Sequence, residues 1–103
     1  MELTLKDIAA MLDISAVQAG STESDVRKMV ALARKYNCIA CFAMPSYTGL
    51  LIELLKDCPQ VGVGGVAGFP SGATTTSAKA AQAREMIELG CNEIDMVINI
   101  GRL

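Results

Sequence analysis

The chain contains no histidine, which removes Ser-His-Asp and Cys-His nucleophile pairs, HExxH zinc sites and every imidazole acid or base. Chemistry here has to run on carboxylates, lysines or thiols. Asp95 is the sharpest candidate. It sits in the run EIDMVINI at 93–100, between Ile94 and Met96–Val97, where the sequence reads as a buried strand. An ionised carboxylate is costly to bury alone, so Asp95 is expected to be paired, hydrogen-bonded, protonated or facing a site. Asp13, in MLDIS at 11–15, poses the same question more weakly, because cap and turn aspartates are common. The five lysines, Lys6, Lys28, Lys35, Lys56 and Lys79, all fall on polar faces of predicted helices, and none reads as a desolvated nucleophile.

The thiols and the glycines give weaker signals. CIAC at 38–41 has the CxxC form of a redox or zinc half-site. A redox pair should open a helix, however, and this one lies in a strand-like run with no second CxxC. Cys38, Cys41, Cys58 and Cys91 therefore read as reduced core thiols. GVGGVA at 62–67 matches the loose dinucleotide pattern GxGxxA, but its glycines fall inside a strand and the next helix opens only near Thr76. A pyrophosphate needs exposed N–H groups at a helix start, so close backbone packing is the simpler reading. GFPSGATTT at 68–76 is better placed to shape an active site or hold an anion, although it lacks the GK[ST] of a Walker loop.

These residues need elements to position them, and the hydrophobic period switches repeatedly between helix-like and strand-like. Thr4 and Asp7 suggest a capping box opening a helix over about 4–11, with Leu5, Ile8 and Leu12 on one face. MLDIS reads as a brief strand. Thr22 and Asp25 cap a second helix over 22–36, whose inner face is Val26, Met29, Val30 and Ala33, and Asn37 stands where a left-handed residue ends a helix. CIACFAM at 38–44 reads as a strand buried on both faces and stopped by Pro45. A Leu-rich helix follows over 47–57, then a strand at 61–69, a helix over 76–89 ended by Gly90, and the strand at 93–100. In the 76–89 helix Ala80, Ala83 and Ile87 should face inward, with Arg84 and Glu88 paired outside. Strands without two-residue polarity, alternating with helices, imply a parallel sheet covered by helices: an α/β fold. Pro-Ser after two of the strands, in AMPS at 43–46 and GFPS at 68–71, hints at a repeated βα unit.

Composition agrees. Apolar residues make up 51% of the 103 against 19% charged, so the chain can build one core. A net charge of −2 leaves no cationic surplus for a nucleic acid. The opening MELTLKDIAAML lacks the basic and uninterrupted apolar regions of a signal peptide, and no run approaches a membrane span. No nucleic-acid partner, no membrane and a cytoplasmic location are the expectations.

The chain resembles the N-terminal half of the deoxyribose-phosphate aldolase family over nearly its whole length. GFPSGATTT at 68–76 and GCNEIDMVINIG at 90–101 carry the resemblance most specifically. Leu12-Asp13, Thr22–Asp25 and Pro45-Ser46-Tyr47 add weaker support. The resemblance implies a TIM (β/α)8 barrel. It also implies a class I aldolase that reversibly cleaves 2-deoxyribose 5-phosphate to glyceraldehyde 3-phosphate and acetaldehyde through a lysine Schiff base, with no metal or cofactor. Carried over by residue, it makes Asp95 the catalytic aspartate of a proton relay with lysines and a water, and Asp13 a pocket-lining aspartate at the end of the first strand. The Schiff-base lysine, its partner lysine and the glycine-rich phosphate loops belong to later strands of the family.

Some positions depart from the family pattern. Ile14-Ser15 stand where His-Thr is frequent, Met44-Pro45 where Asn-Pro is, and Phe42 where many members carry a pocket cysteine. Phe42 is thus expected in the substrate pocket. A full barrel takes ~250 residues, so residues 1–103 are expected to form a single incomplete aldolase-type domain with about four parallel strands and covering helices. The expected partner is a small phosphorylated sugar or aldehyde. An open half-barrel would expose two sheet edges, which favours homo-oligomers. The rival readings are a non-catalytic half-barrel that self-associates as a structural or binding module, and a thiol redox module built on Cys38 and Cys41.

Overall fold

A computed structural model describes residues 1–103. Four strands form one parallel sheet in the order β1-β2-β3-β4: β1 is Asp13–Ala16, β2 Ala40–Ala43, β3 Gly62–Ala67 and β4 Glu93–Met96. Helices α1 (Leu5–Ala9), α2 (Glu23–Tyr36), α3 (Thr48–Leu55) and α4 (Thr76–Leu89) precede or join them. The α/β reading and its four parallel strands hold, and the barrel is open, with β1 and β4 as edges.

The helix boundaries follow from local chemistry. At the start of α2 the Thr22 hydroxyl accepts from the Asp25 N–H at 3.3 Å, while the Asp25 carboxylate accepts from the Thr22 N–H at 2.8 Å. Asn37 ends α2 at a φ of 52°, and Gly90 ends α4 at 116°. Arg34 of α2 donates to both carboxylate oxygens of Asp57, at 2.8 and 3.1 Å, tying α2 to the end of α3.

Side chains alternate across the sheet. Ile14, Ala16, Cys41, Ala43 and Val63 point to the helix-covered face, where they join Val26, Met29, Val30, Ala33, Leu51 and Leu55 in the main core. Ala40, Phe42 and Val66 lie on the opposite face, with Val17, Met44 and Phe69 partly buried beside them. Gly65 lets α4 close on β3, since a Cβ there would stand 2.8 Å from Met86 Cβ. Thr48, fully buried, donates to the Met86 sulfur at 3.4 Å.

Several expectations change. Helix α1 ends at Ala9 rather than residue 11 and buries nothing; Leu5 and Ile8 stay exposed because no element covers them. Strand β1 starts at Asp13, two residues later than expected. In α4 the inward residues are Lys79 and Met86, not Ala80 and Ile87, because Met86 must meet Gly65; Arg84 and Glu88 make no ion pair. Lys79, expected on a polar face, is buried at 8% exposure. Strand β4 covers 93–96 rather than 93–100 and is largely exposed, since it pairs on one side only and its last register partner is Ala67. Past Met96 the chain donates once more, from the Val97 N–H to the Ala67 carbonyl at 3.1 Å, then turns into a short 3-10 helix at Ile100–Arg102.

Candidate active site

Register places the candidate residues. Asp13 is level with Ala40 and Gly62, and Asp95 is level with Val66. Because Ala40, Phe42 and Val66 share the uncovered face, Asp13, Phe42 and Asp95 share it too. They do not meet. Following the register across the sheet, the row of Asp95 reaches β1 near Val17, four residues past Asp13, and three inter-strand steps of ~4.8 Å also intervene.

Asp95 is exposed and takes part in no ion pair, which corrects the expectation of a buried carboxylate. The apolar flanks that suggested burial fail to bury it because β4 is an edge and its side of the sheet has no second layer. Instead Asp95 lines an open hollow of about 610 Å³ with Phe69, Ile94, Met96, Val97 and Ile98. Asp13 is likewise exposed, and it opens β1 rather than standing at its end as expected, because the strand runs on to Ala16. Phe42 is 3% exposed and fills the space over Gly64, where a Cβ would stand 2.2 Å from the ring; this close approach is why β3 carries glycine.

The framework around Asp95 is well anchored. Asn92 accepts from the Val63 N–H through its side chain at 2.9 Å and donates its own N–H to the Val63 carbonyl at 2.8 Å, fixing the entry to β4. After β3, Gln82 of α4 accepts from the Gly68 N–H at 2.8 Å. Gly72, at a φ of 68°, brings the 68–75 loop so close to the chain past β4 that a Cβ would fall 2.0 Å from the Ile98 carbonyl oxygen. The conspicuous GFPSGATTT run thus braces the segment that follows Asp95.

The thiols are not poised for redox chemistry. All four cysteines are free, and Cys38, Cys41 and Cys58 are buried. Burial, then the neighbouring Cys38 and Cys58, pushes the Cys41 thiol up to about 12, the reverse of what a reactive thiolate needs. No three His, Cys, Asp or Glu side chains are grouped to hold a metal ion. No helix is long and apolar enough to cross a membrane. Each lysine lies on a helix or at its cap, so no strand presents an amine to the uncovered face. Lys79 is the polar residue that reading the sequence missed. A signal existed: Lys79, Ala83 and Met86 follow helical spacing, and the fixed inward position of Met86 carries Lys79 in with it.

Comparison with known proteins points one way, although no family model matches the chain. A deoxyribose-phosphate aldolase of Sinorhizobium medicae is 48% identical over 101 residues, covering 98% of this chain and 41% of the relative. One from Klebsiella pneumoniae is 43% identical over 105 residues, covering 100% and 42%. Among solved structures, the tetrameric deoxyribose phosphate aldolase of Aeropyrum pernix aligns at a TM-score of 0.87 and 28% identity, over 96% of this chain and 42% of that one. A chain from Coccidioides immitis, described as an enzyme of the same kind, reaches 0.89 at 28% identity, over 96% and 39%. The chain spans about two fifths of the length of these relatives.

Proposed function

The chain belongs to the deoxyribose-phosphate aldolase family, and on that footing we propose that it forms the N-terminal half of a barrel that cleaves 2-deoxyribose 5-phosphate to glyceraldehyde 3-phosphate and acetaldehyde. The observation that carries this reading is the shared face. Asp13, Phe42 and Asp95 come from three different strands and project to the side of the sheet that a closed barrel would turn inward. Asp95 lies next to the last residue of β4, at the C-terminal end where barrel enzymes assemble their sites. The stagger of a closed barrel, ~one residue per strand, takes up about three of the four residues that separate Asp13 from the row of Asp95.

In this role Asp95 is the acid/base group of the relay, exchanging a proton through water with the carbinolamine that precedes the Schiff base. Asp13 and Phe42 line the pocket. The amine that forms the Schiff base has to be held on a rigid strand with its pKa lowered by a second cation, and all five lysines here lie on or beside helices. The nucleophile therefore comes from outside these residues, and the chain alone is without turnover. We place the assembled enzyme in the cytoplasm.

The test has two arms. Purified chain incubated with the phosphorylated sugar should give no retro-aldol product and no borohydride-trapped lysine adduct; robust trapping would overturn the assignment. Mixed or joined with a lysine-bearing second half from a relative, it should recover turnover, and Asp95→Asn should then lower kcat by ~10²–10⁴-fold. A second reading, a half-barrel that pairs with its own copy as a structural module, draws on the two open edges and the uncovered face. A discrete folded dimer by light scattering, with no turnover in the mixed assay, would favour it.

A further inference from the structure

We propose that the hollow between the start of α4 and the segment after β4 binds a phosphate-type oxyanion, with Lys79 as its central ligand. Lysine is almost never buried without a partner, yet Lys79 is 8% exposed and forms no ion pair in the chain. Its stem is laid down by Gly68: a Cβ there would stand 3.0–3.2 Å from Cε, Cγ and Cδ of Lys79. No fully buried polar side-chain atom in the chain lacks a partner, and the Lys79 ammonium makes no hydrogen bond, its backbone N–H alone donating, to the Thr75 carbonyl at 3.1 Å. Its ammonium must therefore reach an opening, and the opening it lines is a hollow of about 400 Å³.

The other walls suit an anion. Thr74, Thr75, Thr76, Asn99 and Arg102 line the hollow, and no Asp or Glu does. Thr75 caps α4 and accepts from the Ala78 N–H at 3.2 Å, which leaves the N–H groups of Thr76 and Ser77 without partners in the chain. No acidic residue occupies the first turn of this 14-residue helix. Two cations, a helix N-terminus and several hydroxyls match a tetrahedral dianion better than a planar monoanion. The hollow lies at the C-terminal ends of β3 and β4, as Asp95 does, but it shares no lining residue with the hollow at Asp95. The site needs only Lys79 and its neighbours, so it stands whether or not Asp95 serves an aldolase.

Titration of the isotope-labelled chain with inorganic phosphate, followed by amide NMR, tests this. Saturable shifts at Thr76, Ser77 and Lys79 are expected, weakened at least ~tenfold by Lys79→Met, which keeps the stem, and also weakened by Arg102→Gln, whose exposed position spares the fold. Lys6→Met, on an exposed face elsewhere, should leave the titration unchanged. Repeating it with glycerol phosphate identifies the source: tighter binding of the ester marks the phosphate of an organic substrate, tighter binding of the free ion an inorganic ligand. Absence of saturable shifts in the folded chain would overturn the proposal, as would equal losses in Lys79→Met and Lys6→Met. If Lys79→Met unfolds, Arg102→Gln decides in the same way. Lysine trapping on the isolated chain bears only on the aldolase reading, and phosphate titration only on this one.

Discussion

The two faces of the sheet are built to different rules. The helix-covered face gathers thirteen buried residues into one core, whereas the opposite face holds three, Ala40, Phe42 and Val66. Yet the uncovered face carries both candidate carboxylates. Stability resides where helices pay the desolvation of strands on one side, and the proposed chemistry falls where that cover is absent. The closed barrel proposed above would reconcile the two by turning the second face inward.

The largest effects should come from the covered face. Leu51 is fully buried between α3 and the sheet, so Leu51→Ala is expected to cost about 2–5 kcal/mol in denaturant unfolding. A loss under ~1 kcal/mol would mean that the core is loosely packed and the contrast between the faces false. The uncovered face has one tight spot. Gly64→Val would drive a side chain into the Phe42 ring and should cost about 1–3 kcal/mol, less if the ring swings into the open space that this face offers. Measuring both variants shows whether tight packing on the second face is confined to the Phe42–Gly64 contact.

Smaller effects sharpen the account of the covering layer. Thr22→Ala removes the cap of α2 and should cost ~1 kcal/mol. Hydrogen bonds from the backbone and then the side chain of Thr22 hold the Asp25 carboxyl below its usual range. Its folded value is lower than its unfolded one, so its contribution is present above the unfolded value of 3.8 and disappears as pH falls through the folded value. Acid titration of the Thr22→Ala chain should therefore be flatter below pH ~4 than that of the parent. At the alkaline end the sign reverses for Cys41: its thiol is raised from 9.0 to about 12, so the unfolded chain loses its proton first and stability declines between those values. Cys41→Ala should remove that decline.

What could be read in advance divides along the same line. Thr22 with Asp25, Asn37 and Gly90 mark helix ends by local hydrogen bonding and backbone preference, which need no knowledge of the rest of the molecule, and those ends fell within a residue. CIACFAM and VGVGGVAGF read as central strands and are central. EIDMVINI looks the same on paper but ends after Met96, because pairing depends on a neighbour that no local pattern encodes. Lys79 escaped for a related reason: its burial depends on Gly68 giving room to its stem and on Met86 setting the rotation of α4. Asp95 stands out through its apolar flanks and the family resemblance, while its exposure follows from topology.

The smallest expected effect is the most discriminating. Asp95→Asn removes a charge from an exposed residue with no ion-pair partner, so unfolding free energy should change by no more than ~0.5 kcal/mol. A structural aspartate behaves otherwise: losing a paired, buried carboxylate leaves its partner stranded and costs several times more. Near-neutrality in the isolated chain, combined with a large kcat loss once a lysine-bearing half completes the barrel, would separate the two roles in one residue. The outcome to fear is a substantial loss of stability in the isolated chain, since Asp95 would then be holding the edge strand in place, and its position facing the open side of the sheet would carry no chemical meaning.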